Sequence, residues 1–293
     1  MASDGLEPFP ALEHVRWLTQ PDLDEPVMLV AFEGWNDAGN AATTAVRHLG
    51  STWNAKMFAT IDPESFYDFS ETRPRVSFDD DNRRVIVWPE NNFADAARVA
   101  RSLDVITMVG VEPQLNWRTF CSQVTGLARI YDVRLVVTLG ALLAEVPHTR
   151  PVSVFGTAYD DKVVSDLKLM PSRYEGPTGI VGVLHAACHE LGLPSASLWA
   201  AVPTYIPTAP SPKAALALVR KTAELLHVEV EAGELEIAAR SYEEQVDEVV
   251  QGDDETAQYV AQLEESFDEN TNVFETGPSL IDEVEQFLRD QER

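Results

Sequence analysis

The feature that most constrains the fold is a recurrence of short apolar runs, rich in β-branched residues, with helix-like or turn-like sequence between them. VMLVAF (centred on residues 28–32), AKMFATI, RRVIVW, DVITMVGV, VRLVVTLG and SLWAAVP read as strands. AATTAVRHL, NWRTFCSQVTGLARIYD and PTGIVGVLHAACHELGL read as helices, the second with Phe120, Val124, Leu127 and Ile130 at helical spacing. A strand whose residues are apolar without alternation is buried on both faces, which is the habit of parallel sheets covered by helices. The fold class predicted is α/β, a three-layer sandwich with a mostly parallel sheet.

After SLWAAVP the pattern changes. Four prolines between Pro203 and Pro212 mark an exit from the sheet. KAALALVRKTAELL follows as a helix. LEIAARSYEEQVDEVV and ETAQYVAQLEESFDE continue in the same vein, with Ile237, Tyr242, Val246 and Tyr259, Leu263, Phe267 as apolar positions. SLIDEVEQFLRDQER reads as a last helix, capped by Ser279 and striped by Leu280, Val284 and Phe287. The expected division is an α/β domain over residues 1–228 and an acidic helical extension over 229–293. An amphipathic helix needs a surface to cover, so the extension packs on the domain or at a subunit interface.

Charge supports that division. The net charge is −26; residues 229–293 hold 21 Asp plus Glu against 3 Lys plus Arg, and the rest of the chain 27 against 19. Nucleic acid and anionic membranes need a basic surface, so neither is an expected partner. The acidic block reads first as a solvated helical surface. No apolar run is long enough for a bilayer, and MASDGLEPFP lacks the basic and apolar regions of a signal peptide. Two cysteines, Cys121 and Cys188, both in helix-like segments, read as reduced buried thiols in a cytoplasmic protein.

Four turns concentrate polar residues where strands hand over to helices. EGWNDAGNAA follows the first strong strand and carries Glu33, Asn36 and Asp37; GVEPQLNWR carries Glu112 and Asn116; EVPHTRP carries Arg150; YEGPTGIVG carries Thr178. In open parallel sheets the carboxyl edge is where ligands sit. Arg150 and the two helix N-termini suit an anion, and Glu33 or Glu112 suits a general base. The same residues also suit ordinary work: Asp37 as a helix cap, Thr178 and Pro177 as a helix start, Trp35 and Trp117 as plugs on the core. HAACH places His185 and His189 one turn apart, but no third ligand is evident and Ala186 stands where a zincin has Glu. No nucleophile elbow, Gly-rich phosphate loop or paired metal carboxylates occur, so no catalytic residue, metal or cofactor is assigned.

EGWNDAGNAA, LGALLAEVPHTRPVSVFGTA, YEGPTGIVGVL and PTYIPTAPSPKAALAL, in that order between about residues 26 and 226, resemble the proteasome assembly chaperone 2 family in its actinobacterial form. The acidic tail with VEQFLR is similar to that of longer bacterial members. The resemblance implies a fold like the phosphorylase/peptidase class of three-layer sandwiches. It implies a non-enzymatic, protein-binding role with proteasome subunits as partners. It does not carry over the archaeal C-terminal hydrophobic–Tyr–any motif or the Gln-Tyr-Leu tail of actinobacterial activators, since this chain ends FLRDQER. The alternative is a small-molecule site at the carboxyl edge made of Glu33, Asn36, Asp37, Glu112, Asn116, Arg150 and Thr178. A homo-oligomer built through the acidic helices is also expected.

Overall fold

A computed structural model describes residues 11–100, 103–172 and 175–270. The helix expected over residues 279–293 lies outside the described residues. The first half of the chain runs β1 (Val15–Trp17), β2 (Val27–Glu33), α1 (Ala41–Thr52), β3 (Lys56–Ile61), β4 (Arg75–Phe78), β5 (Arg84–Val87), β6 (Asn91–Ala100), β7 (Leu103–Val111) and α2 (Trp117–Ile130). The second half runs β8 (Leu135–Ala144), β9 (Val154–Ala158), α3 (Asp161–Leu167), β10 (Met170–Pro171), α4 (Ile180–Glu190), β11 (Ser195–Pro203), α5 (Pro212–Leu226), α6 (Gly233–Gln251) and α7 (Asp254–Asn270).

β2 is the centre. Val27 to Phe32 are all buried, and β7 and β8 pair with it in parallel on either side. Nine strands make one sheet in the order β1-β3-β6-β7-β2-β8-β11-β9-β10. The parallel character belongs to the four central strands, β7 to β11; β6, β3 and β1 on one flank and β9 on the other add antiparallel, so the sheet is mixed. Alternate residues of the central strands feed two cores. Leu29, Ala31, Val105, Val137, Leu139 and Leu198 face α1 and α5. Met28, Val30, Ile106, Met108 and Val136 face α2 and α4, where Phe32, Phe58, Phe66, Phe93 and Phe120 gather. Burying each such aliphatic or aromatic side chain contributes about 1.5–3 kcal/mol, and two faces require two helical layers.

Local sequence and observed structure part in four places. NNFADAARVA, with four alanines, lacks the β-branched signature, yet it is the ten-residue strand β6. Its pairing with both β3 and β7 outweighs a weak propensity. RRVIVW does form a strand, but outside the main sheet: β5 pairs only with β4, in a separate hairpin. On α6 the buried stripe is Leu235, Ala239, Tyr242, Val246 and Val250, whereas Ile237 is 63% exposed. On α2, Ile130 is likewise at the surface while Phe120, Val124 and Leu127 are buried.

Close approach fixes two details. A Cβ on Gly140 would lie 2.5 Å from the Trp199 ring on the neighbouring strand, so the indole lies against bare backbone there. Under α4, His185 is buried and bonded to Ser195 at 2.8 Å through Nδ1, and to Thr138 at 2.9 Å and Ser197 at 2.8 Å through Nε2. Burial pushes its pKa down to about 4. His189, one turn on, is exposed, and among the described residues no three His, Cys, Asp or Glu gather as metal ligands.

A base whose pKa is lowered by folding takes up its proton more readily when unfolded. Stability at full strength above pH ~6.5 therefore falls as pH drops towards ~4, by on the order of 3 kcal/mol from this group. Urea titrations across that range should show the acid limb, and His185→Gln should flatten it. An unchanged limb in the variant would assign acid sensitivity elsewhere.

Candidate functional site

The chain leaves β2 at Glu33 and turns through Gly34, whose φ of 120° is open to glycine. Glu33 pairs with Arg47 of α1, both half-exposed. Asn36 and Asp37 then drop into the protein, each 4% exposed. The Asn36 carbonyl accepts the Ala141 amide at 2.8 Å, tying the turn to β8. Asp37 reaches forward: its Oδ1 accepts the amides of Ala42 at 2.7 Å and Thr43 at 3.2 Å, and its Oδ2 accepts the Thr43 hydroxyl. The carboxylate thus satisfies donors that a helix start leaves open and sits at the positive end of α1. Burial raises its pKa, and these hydrogen bonds, with the Arg47 charge, pull the other way.

Glu112 does the same for a different helix. It follows β7, and its amide donates to the Glu33 carbonyl at 2.9 Å, so the two acidic turns meet at one edge. Its Oε1 accepts the Ile180 amide, in the first turn of α4, at 2.9 Å, and lies 3.4 Å from Asn36 Nδ2. Gly179 is squeezed into this junction: a Cβ there would lie 2.7 Å from Asn36 Nδ2 and 2.9 Å from Glu112 Oε1. Thr178, next to it, is exposed and bonds only weakly to the Gly179 carbonyl, at 3.4 Å. Asn116 is exposed in a left-handed conformation ahead of α2, its amide donating to the Ser65 carbonyl at 2.7 Å.

Arg150 is engaged elsewhere. Its Nε and Nη2 form a two-pronged bond to Asp268 of α7, at 2.8 and 2.6 Å, and Nη1 lies 3.4 Å from Glu264. This bonding lowers the Asp268 pKa and raises that of Arg150. The whole EVPHTR loop has the same orientation. Glu145 accepts from Tyr259 at 3.3 Å, and Thr149 donates to Glu264. Buried His148 lies 2.9 Å from Asp247 through Nε2 and 2.8 Å from the Tyr205 hydroxyl through Nδ1. Lys213 of α5 donates to the carbonyls of His148 and Arg150 and to Glu243 of α6. A loop that reads as an anion site does bind anions, and they are the carboxylates of α6 and α7. Beside it Tyr205 and Ile206 pack against Tyr242, Val246, Val250 and Val260 in a small core of their own.

The seven candidates therefore divide. Glu33, Asn36, Asp37, Glu112 and Thr178 share the edge where β2, β7 and α4 meet. Arg150 faces α7, and Asn116 faces the loop at Ser65. A hollow of about 290 Å³ beside the first turn is lined by Asn36, Asp37, Leu142, Leu143 and Trp199, and by none of the other five candidates. Sequence reasoning did not single out Lys213, Asp247, Glu264 or Asp268. The surplus of carboxylates after residue 229 is the only signal of their role, and it does not say which of them meets which base.

Residues 31–250 match the PAC2 family. The chain belongs to the PAC2 family. Among solved structures, a PAC2 family protein from Streptomyces avermitilis is 44% identical, with 80% of this chain and 99% of that one covered and a TM-score of 0.73. A proteasome-assembly chaperone homologue from Mycobacterium tuberculosis is 43% identical over 80% of this chain and 99% of its own, with a TM-score of 0.72. A second M. tuberculosis protein, of unknown function, is 27% identical, but it covers 98% of this chain and 99% of its own with a TM-score of 0.83, so that likeness takes in α6 and α7. No curated protein matches the chain.

Three variants test these roles in the PAC2 protein. Asp37→Ala removes the acceptor for the first turn of α1 and should cost about 1–2 kcal/mol, whereas Asp37→Asn, which keeps an acceptor, should cost less than half of that in chemical denaturation. Arg150→Ala should speed amide exchange in α7 roughly tenfold while leaving the sheet protected. Equal protection of α7 in both proteins would mean that the apolar contacts alone hold it.

Proposed function

We propose that the protein is a non-enzymatic, assembly-chaperone-like interaction protein whose partners are proteasome subunits. The observation that carries this reading is how the charged candidates are used. Asp37 is bonded to the start of α1, Glu112 to the start of α4, and Arg150 to α7. Groups already satisfied by the protein's own helices support a shaped surface rather than bond-making chemistry. PAC2 membership and the 43% identity to a proteasome-assembly chaperone homologue supply the class of partner. In the same reading the protein works in the cytoplasm, self-associates, and carries its acidic helices from about residue 229 as a unit riding on the α/β domain. Among the described residues no helix is long and apolar enough to cross a membrane.

One observation favours a second reading, small-molecule binding at the sheet edge. The hollow of about 290 Å³ holds buried Asn36 and Asp37 beside the Trp199 ring, a mixture of polar and aromatic lining common in ligand sites. Native mass spectrometry of the purified protein separates the two. The first reading expects complexes with proteasome subunits, and slower appearance of the full particle when the gene is deleted. Absence of such complexes together with unaltered assembly would sink it. A bound small molecule lost in Asn36→Leu would favour the second.

A further inference from the structure

The β4–β5 hairpin stands apart from the nine-stranded sheet. Its strands pair only with each other, and a two-stranded ribbon is marginal in water unless a face is covered. The register sets Val76 opposite Ile86, with Phe78 two residues along the same strand. One face therefore carries all three, and they are 51%, 49% and 64% exposed. The opposite face turns Arg75 and Val87 towards an open groove of about 780 Å³, floored by Asn92 and Val109 of the sheet and walled by α1. Arg84, opposite Phe78, shares the apolar face, while Arg73 and Arg75 line the groove. Among the described residues none of these three guanidinium groups has an ion pair, while neighbouring Arg83 is paired with Asp81.

The same chain carries a surface of complementary chemistry. α6 turns Ile237, Ser241, Glu244 and Glu248 outward at i, i+4, i+7 and i+11, whereas Val249 lies about 120° round the helix from Ile237. Ile237 and Val249 are 63% and 69% exposed. Residues 233–270 contain 13 acidic residues and one basic residue. From Ile237 to Glu248 the helix rises ~17 Å, and a four-residue strand extends ~13 Å, so the hairpin fits along the stripe.

We propose that the outer face of the β4–β5 hairpin of one copy docks on the outward face of α6 of a second copy. Val76, Phe78 and Ile86 then cover Ile237, and Arg84 meets Glu244 and Glu248. The inference rests on the self-association proposed above and names its surfaces. The contact is heterologous, because each copy offers a hairpin and receives one on a different surface. Repetition of such a contact closes a ring or continues as a filament.

The test is the solution mass of the full chain, by light scattering, for the wild type and two surface variants. One variant is Val76→Glu with Phe78→Glu, which spoils the hairpin. The other is Glu244→Lys with Glu248→Lys, which spoils the helix. The wild type should have the mass of several chains and dissociate as salt is raised. Each variant alone should have the mass of one chain. Mixed in equal amounts they should form a heterodimer, since each retains the surface that the other lacks. A helix variant that keeps the wild-type mass, or a mixture that stays monomeric, overturns the proposal. A wild type that is monomeric at every concentration overturns self-association as well, while leaving the capture of proteasome subunits to be judged separately. Should either double variant melt early, Phe78→Thr and Glu244→Gln replace it, with roughly tenfold weaker association expected.

Discussion

Everything in this molecule depends on a row of parallel strands buried between two helical layers. β2 contributes six consecutive buried residues, and its ladders to β7 and β8 occupy both of its edges. With neither face nor edge free, the apolar side chains demand a helix layer above and another below. α1 and α5 supply one, and α2 and α4 the other. Parallel strands also deliver their following turns to one edge of the sheet. Glu33, Asn36, Asp37 and Glu112 come together there as a consequence of that direction.

That edge carries a second constraint. Helices that begin at a buried sheet edge leave backbone amides with no partner, and an unmet buried donor costs about 1–3 kcal/mol. The protein meets this with carboxylates drawn from different places. Asp37 serves its own helix from just ahead of it, whereas Glu112 reaches α4 across 68 residues of sequence. Gly179 is small because Asn36 and Glu112 occupy the space where its side chain would stand.

Charge acts at a larger scale in the C-terminal helices. Residues 229–293 carry most of the net negative charge, yet α6 and α7 are not merely solvated. Lys213, His148 and Arg150 draw Glu243, Asp247, Glu264 and Asp268 onto the end of the sheet. Tyr242, Val246 and Val260 pack under them. The outward surface keeps its surplus of carboxylates, among them Glu244 and Glu248.

The α/β class, the strong strands and the main helices were legible in the sequence, because burial on two faces writes unbroken β-branched runs such as VMLVAF and DVITMVGV. Asp37 was legible as a cap candidate, since a cap lies within a few residues of its helix. β6 was not, because its alanines prefer a helix and only pairing with β3 and β7 makes it a strand. The placement of RRVIVW outside the main sheet was equally hidden, for an apolar strand looks the same whether its neighbour is a sheet or a single partner. Most of all, the role of Arg150 was beyond reach: its charge and its turn suggested an anion, but the anion stands 118 residues away in α7. The sequence by itself determined what repeats locally, namely periodicity, capping chemistry and the sign of the charge. Only the tertiary structure decided which carboxylate meets which cation, because that choice depends on distances between segments that the order of residues along the chain does not record.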